Sequence, residues 1–290
     1  MTAAVLGPGA VGGVLAVGLA NAGVRVICVA RPATAAAIRS EGLSLRRGSE
    51  VVAARPEVAE TLDEPADVTF VTVKAPALDE ALERLRAPAG VVLPLLNGIE
   101  HMQMIRERFP DARVVGASIG RIEAFLERPA LVIQPTPGVV MTVSSDAPPE
   151  AVDLTRRSGA DVRVNGSADE VLWEKLARQA ATAAVTTITQ RPVGELRTDE
   201  EWRPRFREAV AEACRVAAAD GVRLSFDAEW EIIEAMPPLL TSSTARDIAA
   251  GVPSELDAIT GAAVRAGRRL GVATPVLDEL FDEACRAQSR

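Results

Sequence analysis

Tyrosine is absent from this chain, histidine occurs once, lysine twice and cysteine three times. Each shortage excludes a chemistry. Without tyrosine there is no Tyr-x-x-x-Lys proton relay. A histidine-based catalytic pair has a single location, at His101 beside Asn97-Gly98, and His101 is expected on a solvated helix surface instead. Cys28, Cys214 and Cys285 are odd in number, scattered and without metal-ligand spacing, which argues against a disulfide framework and against any metal site, and fits a reducing cytoplasm. Basic residues are in deficit, with a net charge of −8, so the chain offers no excess positive field for nucleic acid or an anionic membrane. No stretch of about 18 apolar residues appears, and Met1 runs straight into a strand-like Ala3-Ala4-Val5-Leu6 with no basic leader, so no targeting or membrane segment is expected.

The lysine shortage points somewhere as well as excluding. Of 32 basic residues all but Lys74 and Lys175 are arginine. Where a surface needs only positive charge this sequence uses guanidinium, so a retained amine marks a position where a compact, titratable cation is wanted. Arginine keeps its proton near neutral pH, whereas a lysine with a lowered pKa serves as general acid or base.

With 48% hydrophobic and 25% charged residues the chain is globular in composition and long enough for two domains. Val5-Leu6 leads directly into Gly7-Pro8-Gly9-Ala10-Val11-Gly12 and then an apolar helical run ending at Gly23. In G-x-G-x-x-G the first glycine permits the tight turn, the second admits a pyrophosphate to the backbone, and the third allows close helix–strand packing, with the helix N-terminus facing the anion. The next strand, Val24 to Ala30, ends at Arg31, where an acid would bind the ribose hydroxyls of NAD; a cation there suits a 2′-phosphate. Further β-branched runs, Val68 to Val73, Val91 to Leu96 and Val114 to Ile119, alternate with helical stretches at 78–85 and 101–108. This is an α/β pattern: a Rossmann-like doubly wound parallel sheet. Arg31, Lys74 and Asn97 fall at the carboxyl ends of its strands, where such sheets bind ligands, and Lys74 is a candidate for cofactor ribose or phosphate. Short apolar runs among prolines from Ala130 to Val164 are expected to form antiparallel strands, and Asn165-Gly166-Ser167 marks a boundary between a domain over 1–166 and one over 167–290.

The second domain is expected to be all-α. Ser167 with Glu170 is a capping-box pair opening a helix from about Ala168 to near Thr189. Lys175 lies in its second turn, on a stripe with Val171, Gln179 and Ala183 and with Thr182 and Thr186 alongside. Apolar helical surface in this half suits a homodimer interface as well as a core. Glu255 in Pro253-Ser254-Glu255-Leu256-Asp257 reads on its own as a first-turn acid, and Ser242-Ser243 as a turn or helix start.

Taken in order, Gly7 to Gly12, Arg31, Val71-Thr72-Val73-Lys74-Ala75, Asn97-Gly98, Leu172-Trp173-Glu174-Lys175-Leu176, Gly194-Glu195-Leu196, Ser242-Ser243 and Ser254-Glu255-Leu256-Asp257 resemble the landmarks of the ketopantoate reductase family over essentially the whole chain. The resemblance implies a first domain that binds NADPH and a helical domain that closes over nicotinamide and substrate. It makes Lys175 the proton donor, Asn97 a residue near nicotinamide and substrate, Ser243 a substrate serine, Glu255 an acid at the cofactor and substrate site, and Ala124 a backbone cofactor contact. Family asparagines that hold substrate one and two turns beyond the lysine correspond to Gln179 and Ala183, and a branch of the family has asparagine where this chain has Val193 and Leu240. The expectation is NADPH-dependent reduction of a keto acid, with ketopantoate to pantoate first. The alternatives are a more apolar ketone or imine as substrate, or an NADPH-binding sensor without turnover.

Overall fold

The computed structural model describes residues 1–87 and 89–289. The chain forms two compact units, residues 1–96 with 101–171, and residues 97–100 with 172–290. The expected boundary at 166/167 is the turn that caps a long helix, and the units divide inside that helix, between Val171 and Leu172.

In the first unit, β1 (Thr2–Leu6), α1 (Ala10–Asn21), β2 (Arg25–Val29) and α2 (Pro32–Glu41) are followed by a hairpin, β3 (Leu43–Arg47) and β4 (Glu50–Ala54). Then come β5 (Glu57–Ala59), β6 (Ala66–Val71), α3 (Leu78–Leu82), β7 (Ala89–Pro94), α4 (His101–Arg108) and β8 (Arg113–Val114). Strands β5-β2-β1-β6-β7-β8 form one sheet in that order, with every pair parallel. Counting only these six strands along the chain, the order is 3-2-1-4-5-6, the doubly wound arrangement, and the crevice between β1 and β6 is its switch point. The fold-class expectation for this half therefore holds. Val5, Val26, Val68, Phe70 and Leu93 are buried in one core, as β-branched and large apolar residues of a sheet covered on both faces should be.

Three local expectations are corrected. The run from Val114 to Ile119 is two strands, because the chain leaves the parallel sheet at Gly116, which sits so close to Ala168 that a Cβ has no room. Its continuation, β9 (Ala117–Arg121), pairs with β12 (Val140–Val143) in a separate sheet. The segment from Ala130 to Val164 is not simply antiparallel. After β10 (Phe125–Arg128), β11 (Leu131–Ile133) lies parallel to β3; Pro149 opens α5 (Pro149–Arg157), where its missing N–H costs nothing; and β13 (Asp161–Val164) is parallel to β12. His101 is buried, 5% exposed, because positions 101, 102 and 105 share the inward stripe of α4 with Met102 and Ile105.

The second unit is helical, as expected. The long α6 (Ala168–Thr189) runs into it, followed by α7 (Val193–Leu196), α8 (Trp202–Ala219), α9 (Phe226–Glu234) and α10 (Ser243–Ala249). A π-helical turn at Asp257–Gly261 leads into α11 (Ala262–Leu270) and α12 (Pro275–Gln288). The apolar surface that suited either a dimer or a core is largely core: Trp173, Leu176, Val185, Phe206, Ile233 and Leu280 are buried together. Among the described residues no helix is long and apolar enough to cross a membrane.

The start of α6 follows its sequence signature. Ser167 Oγ accepts from the Glu170 N–H at 3.2 Å, and Glu170 Oε2 accepts from the Ser167 N–H at 2.6 Å. A Ser167→Ala variant should lose about 1 kcal/mol of stability, read as a lower urea midpoint with unchanged slope.

Candidate active site

Two constellations carry chemistry, one in each unit. In the first, the glycine loop joins β1 to α1 at the switch point. Gly7 has φ +85°, and a Cβ there would fall on Val73. At Gly12 a Cβ would fall 2.3 Å from Thr72 Oγ1 and 2.5 Å from the Gly7 carbonyl oxygen, so both positions demand glycine for packing. Gly9 differs, because a Cβ added there meets nothing closer than the Gly7 oxygen at 3.9 Å. Its bare Cα faces open space, which is the cradle a closely approaching phosphate requires. Pro8 fills the turn, and Ala10 and Val11 begin a helix with no side-chain cap and no acid in its first turn. The N-terminal N–H groups and the helix dipole thus present a positive end with no competing carboxylate. Thr72, which sequence reasoning placed in a motif without a role, secures the loop by donating its hydroxyl to the carbonyls of Leu6 and Gly7 at 3.0 and 2.8 Å.

Arg31 stands exposed as the N-cap of α2, with no ion pair among the described residues, and Lys74 is exposed at the entry to a short 3-10 turn. Ala124 lies half-buried between β9 and β10. The residues of the loop therefore fit a dinucleotide.

The second constellation lies within the helical unit. Lys175 Nζ donates to Asn97 Oδ1 at 2.8 Å, and Asn97 Nδ2 donates to Glu255 Oε2 at 2.8 Å. Ammonium, amide and carboxylate form a chain in which each donor meets an acceptor. Asn97 belongs here because residues 97–100 pack with this unit. Glu255 is buried, 7% exposed, and precedes the π-helical turn, so the first-turn acid of the sequence reading is a buried partner of the amide. That turn is fixed to α6 by Thr260 Oγ1, which donates to the Ala180 carbonyl at 2.8 Å. Gly98 has φ +84°, and its Cβ would lie 2.1 Å from the Ala258 carbonyl oxygen, so only glycine lets the Asn97 loop lie this close to the turn. Such π-helical turns widen a helix locally and recur at functional sites.

Burial pushes the Lys175 amine down from 10.5 to about 8; the Arg178 guanidinium one turn on adds to the shift and the Glu255 carboxylate opposes it. Arg178 is itself paired with Glu229, a buried acid whose carboxyl desolvation pushes up. Sequence reasoning missed this pair. Arg178 lies three residues from Lys175 on the same helix, but nothing in the sequence brings position 229 to it.

Other expected positions are distributed unevenly. Gln179, one turn from Lys175, has its Oε1 buried without a hydrogen-bond partner, whereas Ala183 is fully buried in the apolar core. Val193 is also core, its N–H bonded to the Leu240 carbonyl at 2.8 Å. Ser243 is exposed in the first turn of α10. Its neighbour Ser242 caps that helix and lies 2.7 Å from the buried Thr186 hydroxyl, so Ser242 is the inward serine of the pair.

Comparison with known proteins accords with this geometry. Residues 3–144 match the family model described as "Ketopantoate reductase PanE/ApbA", and residues 167–286 match "Ketopantoate reductase PanE/ApbA C terminal". The chain is 32% identical to a 2-dehydropantoate 2-reductase of Caulobacter vibrioides over 94% of each chain, and 27% identical to an uncharacterized oxidoreductase, YkpB, of Bacillus subtilis over 96% of this chain and 95% of that one. A PanE/ApbA family ketopantoate reductase from Ralstonia eutropha superposes with a TM-score of 0.87 at 29% identity, over 100% of this chain and 99% of that one. D-mandelate dehydrogenase, solved with NADH and anilino(oxo)acetate, shares the fold with a TM-score of 0.89 at 23% identity, over 100% and 99% of the chains.

A lowered lysine pKa is also a stability statement. The folded state disfavours the ammonium, so its penalty is fully present below pH 8 and fades as pH rises toward 10.5. That shift corresponds to about 3 kcal/mol, less about 1 for the hydrogen bond to Asn97 that a substitution removes. Lys175→Met should therefore be more stable than the wild type by about 2 kcal/mol at pH 7, with the advantage shrinking between pH 8 and 10.5 in denaturant titrations.

Proposed function

The chain is an oxidoreductase belonging to the ketopantoate reductase family, and within it we propose that this protein reduces a 2-keto acid to a 2-hydroxy acid with NADPH, Lys175 supplying the proton. The observation that carries this reading is the hydrogen-bonded chain Lys175–Asn97–Glu255, in which burial pushes the amine down to about 8. A group that titrates close to neutrality is ready both to give up a proton and to regain one.

Reduced nicotinamide, when bound, supplies the hydride that reaches the carbonyl carbon. As that C–H bond forms, the carbonyl π pair moves to oxygen, and the Lys175 ammonium both stabilises the growing negative charge and transfers a proton to it, leaving a C–OH product. The neutral amine then takes a proton from water. Asn97 orients the amine through its Oδ1, and Glu255 fixes the amide so that the oxygen, not the NH₂ group, faces Lys175. The Gly9 cradle and the N-terminus of α1 would hold the pyrophosphate, with Arg31 on the 2′-phosphate and Lys74 and Ala124 as further contacts. A sensor without turnover gives no reason for a buried amine to be held in this hydrogen-bonded chain.

Ketopantoate is the first substrate to test. A more apolar 2-keto acid or an imine is the second reading, favoured by the alanine and valine that stand at 183 and 193 in place of family asparagines. The same reading includes action in a reducing cytoplasm and leaves room for a homodimer.

Lys175→Ala should lower turnover by about 10²- to 10⁴-fold while NADPH still binds, measured by loss of reduced-nicotinamide absorbance and by fluorescence titration. Full activity in that variant would remove the proton donor from the scheme. Since the donor is the ammonium, kcat/KM for reduction should be flat below about pH 8 and fall about tenfold per unit above it. Arg31→Ala should weaken NADPH about tenfold or more and leave NADH nearly unchanged, the charge-assisted contact being made only to the 2′-phosphate.

A further inference from the structure

We propose that Arg265 is a positioning residue for the reaction: by clamping Glu100 to the π-helical turn at Asp257–Gly261, it holds Asn97 in place between Lys175 and Glu255. The proposal rests on the reading of Lys175 as proton donor. Asn97 lies in a segment, residues 97–100, that belongs to the second unit although the chain on both sides of it belongs to the first. Something must therefore fasten four residues to a body they do not continue into.

Three anchors do so. Gly98 lies against the Ala258 carbonyl, and Ile99 packs on the helical core. The third is polar: Arg265 Nε and Nη2 donate to Glu100 Oε1 and Oε2 at 2.8 and 2.7 Å, a two-pronged contact. The same guanidinium reaches the turn, with Nη1 donating to Asp257 Oδ1 at 2.7 Å and Nη2 to the Asp257 carbonyl at 2.9 Å. Glu100 is three residues from Asn97, and Asp257 is two from Glu255. One planar fork thus joins the two segments that supply both the amide and the carboxylate of the chain to Lys175. An ammonium has neither the plane nor the number of donors to span both.

Glycine keeps the space for this fork. At Gly261 a Cβ would come within 2.8 Å of Asp257 Oδ1 and 2.9 Å of Arg265 Nη1. The cluster is too exposed, with Arg265 at 39% and Asp257 at 77%, for its ion pairs to add much to global stability. Its consequence is geometric: an amide displaced by an ångström no longer bridges amine and acid. The charged groups acting on Lys175 are Glu255, before the turn, and Arg178 on its own helix, the latter neutralised by Glu229 from α9.

The lysine content makes the test direct. With Lys74 and Lys175 as the chain's two lysines, protein grown on [ε-¹³C]lysine gives two side-chain signals, and Lys175→Arg assigns them. Titrations of the full-length wild type, Arg265→Gln, Arg265→Lys and Glu100→Gln are compared alongside kcat, KM and NADPH affinity. The expected result is a Lys175 midpoint lowered by about half a pH unit or more in all three variants, since the ammonium loses its acceptor. With it kcat should fall about tenfold while NADPH affinity holds, and Arg265→Lys should fail to rescue. An unmoved Lys175 titration in both Arg265→Gln and Glu100→Gln overturns the clamp, whether or not kcat falls, because a merely structural role would cost activity without touching the amine. Full turnover in Lys175→Ala would instead refute the proton-donor reading, and the titration would still report on the clamp.

Discussion

An amine removed from water and given a neutral partner is the constraint around which the helical unit is arranged. Had the Glu255 carboxylate met Lys175 directly, the ion pair would have held the ammonium firmly and raised its pKa. With no acid nearby, burial would have lowered it further. Asn97 stands between the two, bonded to both, while the nearby carboxylate charge opposes burial and the amine is pushed down only to about 8. Arg178 would push it lower still but is itself paired with Glu229.

Holding that chain together is a matter of backbone geometry as much as of charge. Its members come from three places in the sequence, the loop after β7, the second turn of α6 and the entry to a π-helical turn. Gly98 allows the loop to touch the turn, Thr260 ties the turn to α6, and Arg265 closes the remaining side. In the first unit the same logic appears around the glycine loop, where Gly7 and Gly12 let strands and helix approach, Thr72 fastens the turn and Gly9 faces open space. Glycines that pack and glycines that make room are thus different residues of one motif.

Much of this was legible in the sequence because it depends on local rules. The capping box at Ser167 and Glu170 located the start of α6, the strand–glycine–helix succession located the glycine loop, and the scarcity of lysine drew attention to Lys175. Errors arose where one local pattern is compatible with two tertiary outcomes. A single apolar run at 114–119 is divided between two sheets, the prolines at 148 and 149 open a helix between strands, and His101 turns inward on a helix whose polar side is elsewhere. The serine pair at 242–243 shows the same limit, since spacing names both residues but only the fold sends Ser242 toward Thr186 and leaves Ser243 outside.

The sequence by itself determined the class of each half, the glycine turn before α1 and the scarcity that singles out the Lys175 amine, because hydrophobic periodicity and glycine sterics act over a few residues. Tertiary structure alone decided that Asn97 and Glu255, separated by 158 positions, share one hydrogen bond, that Glu229 pairs with Arg178, and that Arg265 joins Glu100, 165 positions away, to Asp257. Those contacts carry no local signature, because the energy of a buried or bridging charge depends on which groups folding brings within about 3 Å of it.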